Sequence, residues 1–172
     1  MRSYMENMRD GYIRTDQDVQ RMAGCWNKGM VNELIYTVLT DDYIPTIVLG
    51  EDLSLKTYII DGLQRSTSFK LFRFGNYKIT SSIRNSVVEY RKLVNGEIVI
   101  DSFDIKGATY ETLPVELQKK FDEFQVETVI HEDVQQKDCQ SLYTDIIEIK
   151  QCQLDRRHLQ ISTDMLVRLE RC

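Results

Sequence analysis

Apolar positions along this chain recur every three or four residues in some stretches and alternate in others, and the change of period marks the elements. Met30, Leu34, Ile35 and Val38 share one helical face, which predicts an amphipathic helix over residues 29–40, ended by Asp41 and Asp42. Residues 44–49 form a β-rich run with Pro45 near its start. Residues 50–55 read as a turn and 56–60 as a second strand. From Asp61 and Gly62 a helix runs to about Phe74, with Leu63, Phe69, Leu71 and Phe72 as core candidates. Residues 87–93 and 97–100 are β-rich and flank Val94-Asn95-Gly96; an Asn-Gly pair there predicts a hairpin. Pro114 opens a helix over 115–124, and residues 125–131 alternate as a strand.

The remaining stretches are less regular. The first dozen residues show no clear period and receive no assignment. Residues 18–22 suit a short extended segment, and 24–29 a loop holding Trp26, the only tryptophan. Helices are expected over 133–149 and 162–171. The fold class is therefore mixed α/β (α+β), with a core over residues 1–131 and a helical extension over 132–172. No repeat or linker-like stretch interrupts it.

Composition narrows the chemistry. Of 172 residues, 42% are hydrophobic and 28% charged, which suits a folded domain rather than a disordered acidic tail. No run approaches the roughly 18 apolar residues of a membrane span, and the polar N-terminus lacks the apolar centre of a signal peptide, so a cytoplasmic, non-membrane protein is expected. Cys25, Cys139, Cys152 and Cys172 form no Cys-x-x-Cys pair and read as unpaired thiols. His131 and His158 are the only histidines, too few and too isolated for an HNH-type nuclease centre.

With 22 basic and 27 acidic residues, the formal net charge is −5, which disfavours a generic basic DNA-coating protein. The charge is unevenly spread. Residues 62–95 hold seven basic side chains and one acidic, whereas 96–148 hold four basic and thirteen acidic. Two readings remain open: the basic block focuses an anionic ligand, or it is a solvated face that pairs with the acidic block.

The segment Ile59-Ile60-Asp61-Gly62-Leu63-Gln64-Arg65-Ser66-Thr67 is the strongest candidate site. A strand delivers Asp61, Gly62 permits a tight turn, and the next helix starts with its unpaired N–H groups beside Arg65, Ser66 and Thr67. Such a set makes a phosphate cradle, with Asp61 available to Mg²⁺ or a ribose hydroxyl. A ligand-free account also fits. Asp61 would be the N-cap, Gln64 would complete a capping box, and Asp61 would pair with Arg65 four residues on.

Asp61-Gly62-Leu63-Gln64-Arg65-Ser66-Thr67 resembles the Asp-Gly-Gln-Gln-Arg-Leu-Thr signature of the N-terminal domain of GmrSD-type restriction endonucleases. Val19-Gln20-Arg21 with Trp26, Asn32 to Ile35 followed by Ile44-Pro45, and Leu113-Pro114 with Phe121 are similar to its other segments, in order. Leu63 departs from the usual Gln. The family's Arg-x-Asn element is missing from 142–147, and an HNH domain of longer members has no counterpart here, so a stand-alone domain, a fragment or one subunit of a split system is expected.

The resemblance implies a ParB/sulfiredoxin-like core that binds, and in an enzymatic reading hydrolyses, a nucleoside triphosphate in a phage-defence restriction system. It implies catalytic roles for Asp61, Gln64 and Arg65, with Asp61 holding Mg²⁺. Gln20, Arg21, Gly62, Arg65, Ser66 and Thr67 would bind the nucleotide. Lys70 and Arg73 would stay solvated or widen the positive field, and Trp26 would fill the core or stack on a base. DNA and a nuclease-bearing subunit are the implied partners. The alternatives are a non-catalytic ParB-like nucleotide- or DNA-sensing module and a degenerate remnant. Arg65→Ala is expected to weaken nucleotide binding by about 1.5–3 kcal/mol. Its effect on folding is expected to be smaller, since an exposed i,i+4 pair contributes about 0.3–0.5 kcal/mol.

Overall fold

The computed structural model describes residues 1–15 and 26–132. In chain order these form α1 (Arg2–Arg9), β1 (Ile13–Arg14), α2 (Lys28–Thr40), β2 (Ile47–Glu51), β3 (Thr57–Asp61) and α3 (Leu63–Phe74). They continue with β4 (Val87–Val94), β5 (Glu97–Asp104), a 3₁₀ turn at Tyr110–Thr112, α4 (Val115–Glu123) and β6 (Thr128–His131). The mixed α/β class expected from the hydrophobic pattern is what forms. The extended segment at 18–22 and the helices at 133–149 and 162–171 lie outside the described residues.

A four-stranded sheet carries the order β1-β3-β2-β6. Strands β2 and β3 pair antiparallel, while β1 runs parallel to β3 and β6 parallel to β2. Ile47, Leu49 and Ile59 pack with Ile35, Val38, Leu39, Phe69 and Phe72 of α2 and α3 in the core. Tyr58 and Ile60, the alternate positions of β3, are buried too. That is why the strand reads as an apolar run rather than an alternation. The β2–β3 register shifts between Val48 and Leu49, a bulge immediately before Asp61.

Several boundaries differ from the sequence reading. The unassigned N-terminus is a helix: Met5 and Met8, three apart, are buried beneath an otherwise polar segment. The expected turn at 50–55 begins later, because Gly50 and Glu51 still pair with Tyr58 and Thr57. The hairpin extends to Asp104, with Asn95 and Gly96 at φ of 53° and 87°, the left-handed pair that an Asn-Gly turn supplies. It forms a separate two-stranded sheet.

Two polar groups lock the layers together. Asn32 of α2 is fully buried. Its Nδ2 donates to Thr80 Oγ1 at 2.7 Å, and its Oδ1 accepts from the Tyr77 hydroxyl at 2.9 Å. Arg73 of α3 is the second. Against the expectation that it stays solvated or widens the positive field, its Nε donates to Asp122 Oδ1 at 2.9 Å. Its guanidinium lies 4.0 Å from the Tyr110 ring centroid. The reason is local packing: Phe72, Tyr110 and Phe121 meet edge-to-face and draw α3 against α4. The Tyr110 hydroxyl donates to the same carboxylate at 3.1 Å.

Asp122→Ala strands Arg73 and the Tyr110 hydroxyl together. It is expected to lower unfolding free energy by about 3 kcal/mol in a urea titration. The apolar pair Arg73→Met with Asp122→Leu is expected to recover most of that loss.

Candidate functional site

Asp61 is the last residue of β3, and Gly62 alone separates it from α3. Gly62 has φ of +98°, and a Cβ there would stand 3.1 Å from Ile47 Cγ1 and 3.3 Å from Arg65 Nη2. Both the backbone conformation and the close approach of β2 therefore require glycine. Gly62, not Asp61, is the N-cap, and no side chain caps the helix. This corrects the capping-box expectation for Asp61 and Gln64. The strand holds Asp61 in its ladder, opposite Val48, one residue too early to cap.

The expected Asp61–Arg65 pair is present, with Arg65 Nη2 donating to Asp61 Oδ2 at 3.2 Å. It is not an exposed pair: Arg65 is 9% exposed. Its Nη1 also donates to the Pro45 carbonyl and, at 3.4 Å, to the Thr46 carbonyl. The guanidinium thus ties the start of α3 to the end of β3 and to the segment entering β2. Pro45 and Thr46 matter here through their carbonyls, which no side-chain signature reveals.

The hydroxyls behind Arg65 turn back on the helix. Ser66 Oγ donates to the Gly62 carbonyl at 2.9 Å, Thr67 Oγ1 to Leu63 at 2.8 Å, and Ser68 Oγ to Gln64 at 2.7 Å. Ser66 is fully buried. Its Oγ also lies 2.8 Å from the Tyr4 hydroxyl of α1, the single Ser66 proton serving either this bond or the one to Gly62. Tyr4 went unrecognised in the sequence; its one signal is its place beside Met5 on an amphipathic turn. Burial is the main reason its phenol is pushed up to about 12, the Ser66 bond and the Arg65 charge acting the other way.

Asp61, Gly62, Gln64, Arg65, Ser66 and Thr67 are thus brought together at one strand-to-helix turn. Gln64 sits half-buried in the first turn of α3. Gln20 and Arg21 lie outside the described residues, as does His158. His131 is exposed at the end of β6. Lys70 is half-buried, with Nζ donating to the Met8 carbonyl at 3.4 Å. Trp26 packs partly against the core and lines a cleft of about 610 Å³ with Met30, Ile83 and Arg84. Among the described residues no three His, Cys, Asp or Glu side chains gather as a metal site. Asp61 therefore fits a metal only in the manner of Mg²⁺, which takes one or two carboxylates and completes its shell with phosphate oxygens and water.

A family profile described as the N-terminal domain of GmrSD restriction endonuclease matches residues 2–167. No curated protein and no solved structure was found to match the chain. Among the described residues no helix is long and apolar enough to cross a membrane.

Because Arg65 is buried and bridges three segments, Arg65→Ala is expected to cost about 3 kcal/mol of stability, not a few tenths. Arg65→Lys is expected to recover only part of it, since an ammonium cannot fork between a carboxylate and two carbonyls. Urea unfolding of both variants checks this.

Tyr4 and Tyr110 give a second test. Both folded-state values are raised to about 12, chiefly by burial. Unfolded tyrosine ionises near pH 10. The unfolded chain therefore sheds these protons first, and their contribution is full below about pH 10 and is lost as pH rises toward 12. Denaturation followed from pH 9 to 12 is expected to show that fall, reduced in Tyr4→Phe and Tyr110→Phe.

Proposed function

The chain belongs to the family of GmrSD restriction endonuclease N-terminal domains, and on that premise we propose that it is the cytoplasmic nucleotide-binding regulatory domain of a restriction system. One observation carries this reading: β3 ends on Asp61 at the N-terminus of α3, with the left-handed Gly62 between them. The leading N–H groups of a helix have no intrahelical acceptors, and the dipole favours an anion beside them. A triphosphate tail is the ligand that such a turn suits. A Mg²⁺ ion bound with the tail would neutralise phosphate charge, and Asp61 is the residue that would hold it.

The chain's own residues divide the work. Asp61 would hold the metal beside the phosphates. Gly62 lets the backbone come close without a Cβ. Gln64, in the first turn, reaches the ligand from the helix. Arg65 holds Asp61 by the 3.2 Å bond and is a positioning residue in this arrangement. The proposal also assigns nucleotide binding to Gln20 and Arg21, which lie outside the described residues, within a ParB-like core over residues 1–131.

A second reading, binding without turnover, is favoured by the engagement of Arg65 with two backbone carbonyls and a carboxylate. A guanidinium so committed is not aimed at a transferring phosphoryl group.

Titration calorimetry with each of the four nucleoside triphosphates, with and without Mg²⁺, tests the proposal. Binding of at least one in Mg²⁺ is expected, weakened tenfold or more by Asp61→Asn in a protein that still unfolds cooperatively. A folded wild type that binds none overturns it. Phosphate release separates the two readings, hydrolysis supporting the first. The chain alone is expected to leave plasmid DNA uncut with Mg²⁺ or Mn²⁺ and any triphosphate, cleavage requiring a nuclease-bearing partner.

A further inference from the structure

Lys28, Lys78 and Lys106 come from segments about thirty to fifty residues apart in the chain, yet they line one cleft of about 500 Å³. Thr80, Ser81, Tyr77, Ile79 and Gly107 complete its walls, and no carboxylate lines it. None of the three ammonium groups is in an ion pair among the described residues, whereas Arg65, Arg73 and Lys92 each are.

The convergence is built into the fold. Ile79 and the 105–108 turn exchange backbone bonds: Ile79 N–H donates to Ala108 O, and Gly107 N–H to Ile79 O, both at 2.9 Å. These bonds set Lys78 beside Lys106. Buried Asn32 fastens Thr80 to α2, and the Tyr77 hydroxyl, whose one proton is shared with Asn32 Oδ1, lies 3.2 Å from the Lys28 carbonyl. These contacts bring Lys28 to the same place. Asp104 does not line the cleft; it accepts the Lys106 backbone N–H at 3.0 Å, and that bond, with the Lys106 charge as a smaller contribution, holds its carboxyl below the usual carboxylate range. Three like charges gathered without a carboxylate between them gain nothing for folding.

We propose that this cleft binds the phosphodiester backbone of nucleic acid. Ammonium groups act as point charges for phosphate, and side-chain hydroxyls such as those of Thr80 and Ser81 supplement them. Its one aromatic side chain, Tyr77, has its hydroxyl engaged by Asn32 and the Lys28 carbonyl, and no carboxylate lines the cleft to select a ribose, so three ammonium groups suit a series of anions better than one nucleotide. It is also separate from the Asp61 turn. Lys28 opens α2, whereas Pro45, the Arg65 acceptor, follows the C-cap at Asp41. The 13 residues of the helix span about 20 Å between them. The proposal therefore does not depend on nucleotide binding.

Fluorescence anisotropy of a labelled 20-base-pair duplex tests it, with salt raised from 50 to 300 mM. About three phosphates neutralised give an expected slope of log affinity on log salt near −2.7. The triple variant Lys28→Gln, Lys78→Gln, Lys106→Gln is expected to lose at least tenfold in affinity at 50 mM salt and most of the slope. The charge-matched control Lys56→Gln, Lys119→Gln, Lys120→Gln is expected to lose less than threefold. Equal losses in the two triple variants overturn the site. So does the absence of binding at 50 mM salt, or competition by polyglutamate as effective as that of unlabelled duplex at equal charge, which would assign the cleft to an acidic protein.

Discussion

The guanidinium of Arg65 joins three parts of the chain that would otherwise meet only through apolar packing. It reaches Asp61 at the end of β3, the Pro45 and Thr46 carbonyls ahead of β2, and its own helix α3. A cation that deep is tolerated because its Nη1 and Nη2 groups find a carboxylate and two carbonyl oxygens. The arrangement fixes several others. Gly62 must be glycine because Ile47 and Arg65 crowd its Cβ position. Ser66 follows into the core and carries Tyr4 with it, so the N-terminal helix is anchored to the same turn. The sheet, the site and α1 share one electrostatic hinge point.

Charge in space bears little relation to charge along the sequence. The basic stretch 62–95 does not act as one field. Arg65 is buried with Asp61, and Arg73 and Lys92 pair with Asp122 and Asp101 from the acidic stretch that follows. Pairing of the two blocks, the plainer of the two readings, holds for those residues. The cations around one cleft without an ion pair among the described residues come from three separate segments, and of them only Lys78 belongs to the 62–95 stretch. A net charge of −5 thus hides a local positive feature.

What the sequence disclosed follows physical scale. Local signals were legible: α2 from its 3.6-residue period, the hairpin from Asn95-Gly96, the strand-turn-helix at Asp61 from an apolar run meeting glycine. Signals that depend on partners were not. Met5 and Met8 are too few to announce a helix until α3 is there to receive them. Asp61 looks like a cap because capping residues and strand-terminal carboxylates share the same letters, and only the β2 ladder separates them. Asn32 reads as an ordinary polar helix residue, although it is buried with Tyr77 and Thr80, about forty-five residues away.

The parallel pairing of β6 with β2 has a consequence for the order in which the molecule assembles. Thr46 bonds Glu127 across 81 residues, whereas α2, β2, β3 and α3 follow one another with short connections. Closing the longer loop carries the larger entropy cost before any contact repays it. On a growing chain the α2–α3 unit is complete while β6 has yet to be synthesised, so the β2 edge stays open until nearly the whole described domain has emerged. The last strand to arrive is then the one that seals that edge.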